Sequence, residues 1–108
     1  MEKLFRVINN YQVILYFNEK GQRHRNEGPA MIWPDGSCAW YKNGELYRKN
    51  GPLTIRLDGT QQYRKCIYNP ADTKDGLIAI FPDHSRLQCQ NGIRKMIAKT
   101  HSKKKTRK

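Results

Sequence analysis

A chain of 108 residues with 37% apolar side chains has too little to bury for two domains or a deep two-layer core, so one thin or elongated unit is predicted. Its formal charge of +12 is unevenly placed: residues 1–83 hold 12 of the 21 Lys and Arg with all nine acids, and the last 25 residues hold the other nine and no acid. Neither a secretory leader nor a membrane span is expected, because Glu2, Arg6 and Asn9-Asn10 interrupt the opening MEKLFRVINNYQVILYF and no other apolar run approaches the necessary length.

In chain order, LFRVI and YQVILYF on either side of Asn9-Asn10 read as a hairpin that caps the N-terminal edge, assigned to residues 1–15. Residues 16–98 repeat themselves. HRNEGPAMIWPDGS, from His24 to Ser37, returns 23 positions later as YRKNGPLTIRLDGT, from Tyr47 to Thr60. This pairs Arg25 with Arg48, Gly28-Pro29 with Gly51-Pro52, Asp35-Gly36 with Asp58-Gly59, and Trp40 with Tyr63. A worn third copy runs from Gly76 to Ser85, 25 positions after the second, and Asn91-Gly92 restores the Asn43-Gly44 that ends the first unit. Upstream, YFNEKGQRHR resembles WYKNGELYR with one residue inserted, so half a unit precedes the first full one.

Asp-Gly and Asn-Gly pairs accept φ > 0 and suit tight hairpins, and the runs between them, PAMIW and SCAWYK, are too short and too rich in Trp, Ile and Tyr for helices. The predicted fold is all-β: an antiparallel meander of hairpin repeats in one layer, followed by a disordered basic tail over residues 99–108. Alternation places Ala30, Ile32, Leu53, Ile55, Ile78 and Ile80 on one buried ridge, with Trp40 and Tyr63 across the strand. Leu87 and Cys89 then fall on the other parity, which predicts a slip or bulge in the third unit. The three cysteines, Cys38, Cys66 and Cys89, are far apart and form no Cys-x-x-Cys pair; they are read as reduced, half-buried strand residues of an intracellular protein. Neither they nor His24, His84 and His101 have metal-ligand spacing, so no metal or cofactor is expected.

The pattern Gly21-x-x-His24-Arg25-x-x-Gly28-Pro29-Ala30, then Asp35-Gly36-Ser37, Trp40-Tyr41 and Asn43-Gly44, resembles the divergent MORN-like repeats of bacteria, bacteriophages and large DNA viruses. The resemblance covers roughly Tyr16 to Gly92 and fades from the first unit to the third; Tyr47 stands where the motif has His, and His84 where it has the turn Gly. It implies a single-layer hairpin array with a binding or scaffolding role. Better-known arrays of this kind are associated with lipid head groups or protein partners.

Positions that recur with the repeat are read as structural, so His24 and Arg25 are expected to tie adjacent hairpins together, with Arg48 repeating the task. Trp33, Tyr41, Arg56, Arg64 and Phe81 share the more variable face. Rings with interleaved guanidinium groups suit single-stranded nucleic acid, where bases stack and phosphates meet cations, and they equally suit a protein contact. Lys99, Lys103, Lys104, Lys105, Arg107 and Lys108 add a sequence-blind attraction for phosphate. A membrane surface is disfavoured, since no basic amphipathic helix of useful length occurs. Catalysis is not expected either: a thin sheet offers little concavity, Asp35, Asp58 and Asp83 belong to turns, and His24 with His84 make only a thin case for a small ribonuclease. The function expected is non-catalytic attachment to nucleic acid or a nucleoprotein through the tail and the repeat face. The alternative is a viral or phage-type accessory protein that meets a host or virion protein through its aromatic face, and self-association through open sheet edges remains available to both.

Overall fold

The computed structural model describes residues 3–98. All regular structure among them is strand: β1 (Phe5–Ile8), β2 (Ile14–Phe17), β3 (Met31–Ile32), β4 (Cys38–Ala39), β5 (Tyr41–Lys42), β6 (Glu45–Leu46), β7 (Thr54–Ile55), β8 (Gln61–Gln62), β9 (Gly76–Ile80), β10 (Arg86–Gln90) and β11 (Ile93–Ile97). Nine of them form one antiparallel sheet in the order β1-β2-β3-β4-β7-β8-β9-β10-β11, and β5-β6 is a separate two-stranded ladder. The fold is therefore an all-β meander of hairpins, elongated to 54 × 32 × 25 Å. Strand β2 runs through the expected boundary between residues 15 and 16, so the first hairpin continues directly into the repeats.

Two kinds of turn punctuate the chain. At Asn43-Gly44 and Asn91-Gly92 both residues have positive φ, 51° and 88° in the first and 55° and 79° in the second, giving the two-residue turn whose twist matches the flanking strands. The Asp-Gly turns differ from the sequence expectation: they are three-residue loops in which the Gly alone is left-handed. Trp33 N–H donates to the Ser37 carbonyl and Gly36 N–H to the Trp33 carbonyl, and the same two bonds recur over Arg56 to Thr60 and over Phe81 to Ser85. They recur again over Asn9 to Val13 and Asn18 to Gln22, so five loops share one geometry. The left-handed place is held by Gln12, Gly21, Gly36, Gly59 and His84 in turn. Asp35, Asp58 and Asp83 brace three of these loops by accepting the N–H two residues on, at 2.8, 2.8 and 2.9 Å. Bonds from Ser37, Thr60 and Ser85 hold all three carboxyls below their ordinary range.

Cross-strand partners share a face, and the register puts Ile14, Ile32, Cys38, Ile55, Gln61 and Ile80 in one row. The expected ridge is thus one face of the sheet, but it is less buried than expected: Ala30 and Ile78 are buried, while Ile32, Leu53, Ile55 and Ile80 are half-buried because no second layer covers them. What the alternation did not predict is burial on the other face: Ala39, Thr60, Gln62, Ala79, Ser85 and Cys89 are also buried. Small side chains close part of that face, and a strap over residues 64–75 covers a further part at the C-terminal end. Ile67, on the strap, is 2% exposed and clusters with Ile78, Ala79 and Cys89, with Phe81 and Leu87 packed around them. Between Leu87 and Gln88 the register against β9 shifts, the irregularity expected in the third unit.

Candidate functional site

Each motif arginine has the same setting. In the first unit Arg25 lies over the Tyr16 ring at 4.0 Å from its centroid and donates Nη1–H to the Pro29 carbonyl at 3.2 Å. In the second, Arg48 lies over Trp40 at 3.8 Å and donates to the Pro52 carbonyl at 3.3 Å. The glycine before each proline leaves room for the guanidinium: a Cβ on Gly28 would stand 3.1 Å from the nearest Arg25 atom, and one on Gly51 2.7 Å from Arg48. The spacing Arg-x-x-Gly-Pro therefore builds a cation held flat between an aromatic ring and the backbone. The ring before it begins a hairpin that returns to it, as His24 N–H donates to Tyr16 and Tyr47 N–H to Trp40.

His24 is 2% exposed, and its Nδ1 accepts the Asn43 N–H at 2.9 Å. Arg25 N–H donates to the Tyr41 carbonyl, Gly44 N–H to the Arg23 carbonyl and the Asn18 side-chain amide to Asn43 Oδ1, so four bonds join the half unit to the β5-β6 hairpin. That joint frames a recess of about 320 Å³ lined by Arg25, Trp40, Lys42, Tyr47, Arg48 and Lys49. No described acid lines it, and Lys42 Nζ sits 5.8 Å above the Tyr47 ring. This cluster is not legible as a site in the sequence, because its arginines and Trp40 belong to the repeat motif, which by itself implies only a scaffold. The signal available was the run of Lys42, Arg48 and Lys49 around two aromatics.

The residues expected on the variable face are only partly brought together. Trp33, Arg56 and Phe81 occupy the same place in three successive loops and so form a row beside the turns. Arg56 is exposed and donates to the Gln62 side chain at 3.1 Å, while Trp33 is half-buried. Tyr41 carries Arg23 at 4.9 Å over its ring, a partner the sequence did not single out. Arg64 departs from expectation. It pairs with Asp72 at 2.8 Å and donates to the Lys74 and Asp75 carbonyls, holding the strap instead of facing outward. Phe81 lines an apolar groove of about 660 Å³ with Tyr68, Pro82, Leu87, Arg94 and Met96. Lys99, Lys103, Lys104, Lys105, Arg107 and Lys108 lie outside the described residues.

Among the described residues no three His, Cys, Asp or Glu side chains gather in a way that suits a metal ion, and no helix is long and apolar enough to cross a membrane. The three thiols are free; Cys38 is half-buried on β4 as expected and Cys89 is buried on β10, but Cys66 is exposed on the strap and lies in no strand, because the second repeat gives way to a loop there. Burial pushes the Cys38 thiol up, which keeps it protonated at neutral pH. Comparison with protein-family models, with curated proteins and with solved structures finds no match to this chain.

Proposed function

We propose that the protein is a non-catalytic, MORN-like hairpin array that attaches to nucleic acid or to a nucleoprotein. The observation that supports this reading above others is how the two signs of charge are used. Asp35, Asp58 and Asp83 are turned into their own loops, Asp72 is bound to Arg64, and Asp75 accepts the Asn91 N–H. Arg23, Arg25 and Arg48 rest on aromatic rings, which leaves their charge available to an anion. A tail with six Lys or Arg and no acid between residues 99 and 108 continues the same sign. The half-buried Trp33 and exposed Arg56 are the further contacts assigned to the repeat surface.

The apolar groove around Phe81 favours a second reading, contact with a protein, in which the tail serves only to steer. Fluorescence anisotropy with labelled single- and double-stranded RNA and DNA separates the two. Saturable binding that weakens steeply with salt, persists when the chain ends at Ala98 and falls with Trp33→Ala and Arg56→Ala is the expected result. Binding that disappears with the tail alone, or that is absent, overturns the assignment of nucleic acid to the repeat surface.

A further inference from the structure

We infer that the recess between the first and second units is a subsite for one segment of single-stranded nucleic acid: a phosphate sits among Lys42, Arg48, Lys49 and Arg25, and the adjoining base stacks on Tyr47. The inference rests on the proposed nucleic-acid reading and narrows it to one place. Three features of the recess point there. Its four cations converge with no described acid among the lining residues, so an anion entering it meets one sign of charge. Arg25 and Arg48 are already fixed, each flat on a ring and bonded to a proline carbonyl, so less side-chain freedom is lost when they meet a phosphate. Tyr47 takes the place that His24 holds in the first unit, but where His24 is 2% exposed Tyr47 is 50% exposed, leaving an aromatic surface open at the rim. The recess is at the lower end of the about 300–1,000 Å³ of small-molecule clefts, which suits one phosphodiester and its neighbour better than a whole cofactor.

A duplex does not fit this arrangement, because its bases are stacked on one another and unavailable to Tyr47. A lipid phosphate would use the cations but not the ring. These differences define the test.

The full chain is titrated with fluorescein-labelled oligothymidylate at several salt concentrations, and with inorganic polyphosphate and phosphoinositide vesicles as phosphate sources without bases. Lys42 and Lys49 are exposed, and although Lys42 Nζ lies over the Tyr47 ring, Lys42→Gln with Lys49→Gln is expected to leave the fold unchanged, which an unaltered thermal melt checks. The expected result is a salt slope lowered by about 0.7, the value for one phosphate contact on a single strand. Tyr47→Ala is expected to weaken oligothymidylate binding about tenfold and polyphosphate binding hardly at all, with Tyr47→Phe behaving as the parent protein. Because any lysine contributes to charge, coupling decides the location: Tyr47→Ala should have little further effect in the Lys42→Gln, Lys49→Gln background, and its full effect when Lys104 and Lys105 are changed instead. Additive effects, or a Tyr47→Ala loss equal on polyphosphate, overturn the subsite while the broader reading stands. Absence of any oligonucleotide binding by the parent chain overturns both. Tighter binding to vesicles than to oligothymidylate at equal phosphate assigns the recess to a membrane surface and also overturns it.

Discussion

The first two units and the third reach the same loop geometry by different means. In the first two, the arginine that lies against the Gly-Pro turn comes from three residues before the glycine, and its stacking ring from the start of the preceding hairpin: Arg25 with Gly28 and Tyr16, Arg48 with Gly51 and Trp40. In the third, Gly76 keeps a positive φ of 129°, like the 118° of Gly51, but the guanidinium 3.2 Å from its would-be Cβ belongs to Arg64, twelve positions upstream. The intervening residues become the strap. Arg64 holds it through Asp72 and the Lys74 and Asp75 carbonyls; Arg94, from β11, holds it through the Ile67 and Asn69 carbonyls. At its start, the buried Gln62 amide donates to the Arg64 and Lys65 carbonyls while its oxygen accepts from Thr54 and Arg56. A local motif has been replaced by tertiary contacts, and with them comes a buried apolar cluster of Ile67, Ile78, Ala79 and Cys89.

If the third unit depends on its strap, Ile67→Ala should have the largest effect, a loss of about 2–4 kcal/mol, since a buried isoleucine is removed from a site the loop cannot fully close. Denaturant titration checks this, and limited proteolysis should show cutting within residues 64–75 before cutting in the first two units. The glycines sharpen the contrast. Gly51→Ala should cost about 2 kcal/mol, because its backbone is left-handed and the Arg48 guanidinium is trapped on Trp40. Gly76→Ala should cost less, since only the far end of Arg64 is in the way, and Gly28→Ala less again, because that backbone is not left-handed.

His84→Gly should stabilise the protein by about 1 kcal/mol, seen as a raised Tm, because His84 holds φ at 70° where the first two units use Gly. The smallest effect is acid sensitivity. The carboxyls of Asp35, Asp58 and Asp83 have folded pKa values below their ordinary ones, so their contribution is present above about pH 4 and is lost as pH falls through the folded values. Melting temperature should therefore drop below about pH 4, and Asp83→Asn should flatten part of that drop.

Much of this was legible. The recurrence of Asp-Gly and Asn-Gly placed the turns, the parity of Ile32, Ile55 and Ile80 placed one face, and Leu87 with Cys89 signalled the irregularity between β9 and β10. The type of loop was not: Asp-Gly serves both two-residue and three-residue turns, and only the backbone shows that Asp35 and Asp58 are followed by a single left-handed residue. The recess was hidden for a different reason. Its two arginines satisfy a repeat pattern, and a pattern shows that a residue recurs without showing what its charge faces.

The sequence by itself determined the meander, because turn chemistry and strand alternation act within a few residues and need no distant partner. It also determined where positive charge outweighs negative. Only the tertiary structure decided that Arg64 is a tie and Arg25 the wall of a recess, that Gln62 is buried, and that a strap closes one end of the second face. The ties of the strap join residues 8 to 27 positions apart, as from Arg64 to Asp72 and from Arg94 to Ile67, and their favourable geometry exists only once the sheet has formed.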